Sequence, residues 1–528
     1  MSAPFEAILL GRAQQISGSG AAESRVLHSH QTMPTISRKE VLMNMSFGQR
    51  IAEEEEKELA KYFVETEQWR QISGGLVDIV YGPKGSGKSA LYALLQDKAA
   101  DFFDKRILMI SGENPRGTTV FSGLISDPPT NEVEFVNLWK LYFLSLVASV
   151  IREYIPGSDD GKRVVSALES AGLISGQSGL SGLLRAVVRY LRRPVDSLQG
   201  ELGFDGSSGL PTFTGKIVFR DPEPAEQRAG LVSVDLLFDA AQSVFARAGA
   251  TIWILLDRLD VAFAESEALE ANALRALFKV YLDLSSRPNI QLKIFLRSDI
   301  WKRIMSDQGF REASHITKHT TIKWDKPSLM NLILRRAIQS PQVLTFTGMT
   351  AEQALTEKQA QMMERLFPDQ VDGGSNRSKT MDWILNRISD GTGLSAPREL
   401  IHFLNTTREE EMRYIELGTA EADDTTLFTR QAIKSALPEV SRVRLEQTIY
   451  AEYPDLRPFI GNLEREKSTQ RVESLAKIWH VSEKEASEIA EKLTDIGFFE
   501  KTGEKDSPLY KVPFLYRPAL DLVQGSAD

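Results

Sequence analysis

The chain has 528 residues, a formal net charge of −9, 42% hydrophobic and 26% charged residues, and no cysteine. That length is more than one ordinary core and predicts about two to four globular domains. The absence of cysteine excludes disulfides, zinc sites with Cys ligands and a Cys nucleophile, and the acidic balance argues against a protein that works mainly on nucleic acid.

In chain order, residues 1–35 are rich in Ser, Gly, Ala and His without a period and read as a flexible tail. The opening MSAPFEAILLGR lacks a basic region and is a poor signal peptide. No apolar run approaches the roughly 20 residues of a membrane span, so the expected location is the cytoplasm, with no membrane partner. From Phe47, FGQRIAEEEEKELAKYFVETEQW reads as one helix whose Glu53 to Glu56 start is solvated. LVDIVYG and RILMIS are short buried strands, and a helix follows the first of them from Ser89.

Residues 112–230 break this alternation and read as an insertion. It holds two amphipathic helices, FVNLWKLYFLSLVASVIREYI and LSGLLRAVVRYLRR, with loops or a hairpin between Pro194 and Pro224. The pattern then resumes: VSVDLLFDAAQSVFARAG is a helix, TIWILLD a buried strand, LRALFKVYLDLSS a helix and IQLKIFLRSD a strand. Continuous apolar strands alternating with helices predict a parallel sheet covered on both faces. Residues 326–425 read as all-helical, and 426–528 as helices closed by paired strands in GFFEKTGEKDSPLYKVPFLY, a winged-helix-like ending. The expected fold class is therefore α/β: a P-loop parallel sheet in residues 36–325, a helical lid and a winged-helix-like domain.

The chemistry concentrates in Gly82-Pro83-Lys84-Gly85-Ser86-Gly87-Lys88-Ser89, followed by Ala90, which fits G-x-x-x-x-G-K-S/T in full. Glycines let backbone N–H groups approach a polyphosphate, Lys88 reaches the β- and γ-phosphates, and Ser89 ligates Mg²⁺. ATP with Mg²⁺ is the expected ligand. A carboxylate at a neighbouring strand end completes such a metal site, and Asp257 follows Ile252–Leu256 directly. Asp260 either polarises the attacking water or caps the next helix. Arg297, at the end of the apolar strand in IQLKIFLRSD, reads a phosphate of its own or a neighbouring subunit's nucleotide, or pairs with Asp299 or Asp257. In SAPRELIHFLN, Pro397 sits where helices begin, which puts Arg398 near a helix N-terminus.

Together, FGQRIAEEE, VYGPKGSGKSALYALL, LLDRLD, KIFLRSDIW and APRELIHFL resemble bacterial P-loop ATPases related to the STAND class, near relatives of AAA+ and origin-recognition-type ATPases. The resemblance covers Phe47 onward, with 112–230 poorly matched. It implies an ATPase core, a helical lid, a winged helix and a switch between ADP and ATP states, often through oligomerisation. It also implies that Arg398 reaches from the lid to the phosphates. Arg258 stands where many fast AAA+ ATPases carry Glu, which implies slow hydrolysis. Many relatives serve in defence against phage. The fused sensor repeats or effector usual in the STAND class are not recognisable here, so a separate effector protein is the expected partner, with self-assembly of the chain itself.

The alternative is an AAA+-like ATPase that loads or remodels DNA through the winged helix. Its reading helix would start at Ser482, with Glu485 at the capping-box position. It carries Glu483, Glu485, Glu488 and Glu491 against Lys484 and Lys492, a poor surface for phosphates, although Lys501 and Lys505 of the wing are basic. Arg335 and Arg336 read as a solvated helix face rather than an arginine finger. His315 and His319 have i,i+4 spacing without the carboxylate of a metal motif, and the Trp residues read as core.

Overall fold

The computed structural model describes residues 36–49, 55, 59–114, 119–121, 129, 131–175, 179–192, 216–228, 230–262, 266–307, 310–420, 425–504 and 507–527. The tail expected at 1–35, residues 193–215 of the expected loop or hairpin region, and Lys505 lie outside them. The described residues fall into two compact units. One contains Gln68–Tyr81 and Leu91–Thr321. The other contains Gln31–Glu67, Gly82–Ala90 and Ile322–Asp528.

The first unit is built on a five-stranded parallel sheet. Its strands are β1 (Ile79–Gly82), β2 (Ile107–Ser111), β5 (Thr251–Leu256), β6 (Ile290–Arg297) and β7 (His319–Thr321), in the order β2-β5-β6-β1-β7. Ile107 to Ser111 pair in register with Thr251 to Leu255, and Ile252 to Leu256 with Ile290 to Ile294. Successive side chains of a strand point to opposite faces, yet β1 is buried throughout and β5 from Ile252 onward. Both faces of the sheet are therefore covered.

The helices that cover them begin and end on local signals. In Val234–Ala248 the Ser233 hydroxyl accepts from the Leu236 N–H, and Gly249 closes the helix at φ 61°. Glu132–Tyr154 is capped by Asn131 and buries most of its length. By length and composition it could cross a membrane, which the sequence reading did not anticipate. Instead it is core: Trp139 donates to the Ala273 carbonyl at 2.8 Å and Tyr142 to the Gly112 carbonyl at 2.9 Å, both buried. These bonds satisfy the polar ends of rings whose apolar bodies fill the interior. In and just beyond the described part of the segment expected as loops or a hairpin, β3 (Lys216–Val218) pairs in parallel with β4 (Leu231–Ser233), linked through the short helix Pro224–Arg228.

The second unit is helical and then β-rich at its C-terminal end. The long helix Pro397–Glu416 has Pro397 in its first turn. The C-terminal part holds helices Val472–Trp479 and Glu483–Asp495 and a four-stranded sheet in the order β11-β8-β10-β9. Here β8 is Lys467–Gln470, β9 Glu500–Glu504, β10 Ser507–Lys511 and β11 Val523–Ser526. The antiparallel β9–β10 pair is the expected wing, and the whole is winged-helix-like.

Two readings of this unit need correction. The helix expected from Phe47 to Trp69 is not continuous among the described residues: Leu59–Tyr62 and Glu67–Ser73 are separate, and Val64 between them is buried in the apolar core. Arg336 and Glu55 are not solvated. They are 6% exposed each and form a bidentate pair with both contacts at 2.8 Å, while the Arg336 guanidinium lies 4.9 Å from the Tyr62 ring centre. Burial of an arginine requires such a partner, which stood 281 residues away in the chain.

Candidate nucleotide site

The phosphate loop runs from the end of β1 into the helix Lys88–Asp97. Gly85 and Gly87 have φ of 80° and 98°, the left-handed region that glycine enters without steric cost. Lys88 folds back over its own loop, with Nζ donating to the carbonyls of Gly82 at 2.9 Å and Pro83 at 3.0 Å. Ser89 follows in the first helical turn, and Ala90 after it. Ser86 is 2% exposed and its hydroxyl oxygen has no partner among the described residues. Trp324 donates its indole N–H to the Ser86 carbonyl at 2.8 Å, so this tryptophan belongs to the site as well as to the core.

The loop is closely covered from the helix Pro397–Glu416. A Cβ at Gly85 would stand 3.0 Å from the Arg398 Cβ and 3.5 Å from the Glu399 Oε2, so glycine is required by both backbone and space. Arg398, expected from sequence, is therefore brought onto the loop. Among the described residues it forms no ion pair, and its Nε is buried without a partner. Its neighbour Glu399 is taken by Arg444 at 2.6 Å, and Arg444 also faces Asp390 at 3.5 Å. Burial pushes the Asp390 carboxyl above its ordinary range, against the opposing pull of Thr392 and Arg444. A cavity of about 290 Å³ opens here, lined by Lys84, Arg398, Glu399, Arg444 and Thr448 among others. Lys84 forms an ion pair with Glu452.

The strand ends of the first unit carry the remaining expected residues. Asp257 directly follows β5 and is 5% exposed. Arg258 after it has φ 58°, a conformation that is costly for a residue other than glycine and is concentrated at functional sites. Arg258 donates to the Asn114 carbonyl at 3.3 Å. Glu113, which the sequence reading missed, is 1% exposed at the end of β2. It accepts from the N–H groups of Asn114 and Val120 and from the Thr119 hydroxyl, all at 2.7 Å. Burial still pushes its carboxyl upward. Burial likewise pushes the Tyr92 hydroxyl up to about 12, with the charges of Asp257 and Glu113 adding to the effect.

Arg297 and Asp260 are brought together, with Asp299 beside them. The Arg297 guanidinium grips Asp299 at 2.7 and 3.1 Å and reaches Asp260 at 3.5 Å. The structural pairing weighed from sequence is thus present for Asp299, and Asp260 lies in the short helix Leu259–Ala262.

In the winged-helix-like part, the Ser482 hydroxyl accepts from the Glu485 N–H at 3.3 Å, capping Glu483–Asp495 as expected. Three of its lysines pair with neighbouring carboxylates: Lys501 with Glu491, Lys511 with Glu500 at 2.8 Å, and Lys484 with Glu488 at 4.0 Å.

No family model matches the chain, and no curated protein does. Among solved structures, the chain is similar to Drosophila ORC bound to DNA, with 9% identity and a TM-score of 0.26 over 98% of each chain. It is also similar to the Aeropyrum pernix ORC2 protein in an ADPNP–ADP form, with 10% identity and a TM-score of 0.27 over 91% of this chain and 97% of that one. The ADP form of the same protein gives 12% identity and a TM-score of 0.27 over 91% and 94%. Likeness at this level carries no argument about what the chain binds or does.

Proposed function

We propose that the protein is a regulatory ATPase that binds Mg-ATP, hydrolyses it slowly, and uses its nucleotide state to control self-assembly and a separate effector protein. The observation that carries the reading is the phosphate loop itself. It has two left-handed glycines, Lys88 and Ser89 at its helical end, and Arg398 lying on Gly85 without an ion pair among the described residues. A guanidinium near a glycine turn suits a polyphosphate because both supply positive charge and donors to phosphate oxygens.

Backbone N–H groups of Gly82 to Ala90 and Lys88 would hold the phosphates, and Ser89 and Asp257 the magnesium. The metal ion supplies charge neutralisation at the phosphate oxygens. Arg398 reads the terminal phosphate from the helical lid. Arg297 holds Asp260 through a direct contact, which orients it in the short helix that follows β5. Arg258, where a glutamate base would stand, cannot accept a proton from water, which supports slow turnover. A timer of this kind works only if the terminal phosphate favours one conformation over the other. The domains acting in it are the ATPase core of 36–325, the lid of 326–425 and the winged-helix-like domain of 426–528. Defence against phage or other foreign DNA is the process we assign to it, from the resemblance of its motifs.

The test is mass in solution with ADP and with a non-hydrolysable ATP analogue, for wild type beside Lys88→Ala. A nucleotide-dependent shift in the wild type alone is the expected result, and equal masses in every case overturn the assembly switch. One observation favours action on DNA instead. Arg517 forms no ion pair among the described residues and lies 4.0 Å from the Phe514 ring centre, with Arg387 4.9 Å from the same ring. Salt-sensitive DNA binding lost in Arg517→Gln would establish that reading, and no binding to any DNA form at low salt removes it.

A further inference from the structure

The segment from Arg444 to Glu452 is tied at both ends to the elements that carry the phosphate loop's charge. At one end Arg444 is buried against Glu399 and Asp390. At the other, Glu452 forms its ion pair with Lys84, the third residue of the loop, across 368 positions of sequence. Between them Leu445–Tyr450 is a π-helix, an uncommon conformation that concentrates at functional sites, and its Gln447 and Thr448 line the cavity beside Lys84 and Arg398.

The charges in this arrangement are in conflict with a polyphosphate. The Lys84 and Glu452 side chains are 30% and 17% exposed, so their attraction is less screened than at an open surface. Glu399 Oε2 is buried without a partner and lies within 3.5 Å of where a Cβ on Gly85 would be. Phosphates entering the loop would attract Lys84 and repel both Glu452 and Glu399. Each carboxylate is on, or directly bonded to, the Arg444–Glu452 segment.

We propose that Arg444–Glu452 is a nucleotide-sensitive latch in which Glu452 competes with the nucleotide's phosphates for Lys84. Binding of the phosphates releases Glu452 from Lys84, and the π-helical turn passes the release to the C-terminal domain. The latch rests on the nucleotide-binding reading above and adds its regulation. It makes one carboxylate, 368 residues from the loop, a determinant of nucleotide affinity.

The test uses the full chain. Affinity for Mg-ADP and for a non-hydrolysable Mg-ATP analogue is measured by calorimetry in wild type, Glu452→Gln, Lys84→Gln and the double variant. Hydrogen exchange is followed at Leu445–Glu452. Glu452→Gln is expected to bind at least about fivefold more tightly, the low end of coupling between linked sites. In the Lys84→Gln background the same change has a clearly smaller effect, because only the direct repulsion of the phosphates by Glu452 is left to remove. Exchange at Leu445–Glu452 rises on nucleotide binding in wild type and is already high in Glu452→Gln. If wild type binds nucleotide through Lys88 but Glu452→Gln binds equally well, with exchange at Leu445–Glu452 unmoved, the latch is wrong and the ATPase reading stands. Equal tightening by Glu452→Gln with and without Lys84 also overturns it. If neither protein binds nucleotide, both readings fall.

Discussion

Arg297 and Arg398 occupy comparable places in sequence, each at the boundary of an apolar element and each a candidate to read a phosphate. Their surroundings differ. Arg297, in the first unit, is held by Asp299 and Asp260. Arg398, in the second, lies against a glycine of the phosphate loop, and the carboxylate beside it in sequence is occupied by Arg444. A guanidinium already gripped by two carboxylates gains little from a third anion, whereas an unspent one gains fully. The availability of charge, more than its presence, separates a ligand-reading arginine from a scaffolding one.

The comparison can be broken by substitution. The largest effect is expected where a spent charge is buried: Glu55→Ala strands Arg336 and should lower stability by about 4 kcal/mol, read from the urea midpoint. Lys88→Ala should weaken Mg-nucleotide binding by about 100-fold in calorimetry, roughly 2.7 kcal/mol, without a matching loss of stability. Arg297→Ala should cost about 1 kcal/mol of stability and leave nucleotide affinity within about twofold. If it weakens binding as much as Arg398→Ala does, the contrast between the two arginines fails.

The smallest effect belongs to the wing. Lys501, followed by the Tyr510 hydroxyl, holds the Glu491 carboxyl below its ordinary value of 4.5. A carboxyl with a depressed folded-state pKa stabilises the fold above its unfolded pKa, and the gain is lost as pH falls through the folded value. Glu491 and Lys501 are 46% and 41% exposed, so the gain is screened. Glu491→Gln should therefore cost at most about 0.5 kcal/mol at pH 7 and a smaller amount at pH 3, seen in urea midpoints at the two values.

What the sequence made legible is local. The loop from Gly82 to Ser89, the apolar strand before it and the Pro397 helix start are each specified by neighbours a few residues away, and each appears where expected. What it hid is long-range. Lys84 meets Glu452, Glu55 meets Arg336, and Gly85 meets Arg398. No spacing rule connects such pairs, because they follow from packing of distant elements. The failed helix from Phe47 has the same cause: its helical propensity was overridden at Val64, which turns into the core. Glu113 could have been suspected from its place just after the β2 strand, the position Asp257 holds after β5. The long apolar helix Glu132–Tyr154 shows the converse error, since length and composition alone do not distinguish a membrane span from a core helix.

The most direct measurement is the affinity of wild type and Arg398→Ala for Mg-ADP and for a non-hydrolysable Mg-ATP analogue, by calorimetry in one buffer. The account predicts that wild type binds both, that Arg398→Ala loses about tenfold for the triphosphate, and that its affinity for the diphosphate is nearly unchanged. Equal affinities of the two proteins for the triphosphate would contradict it, as would the absence of nucleotide binding by wild type.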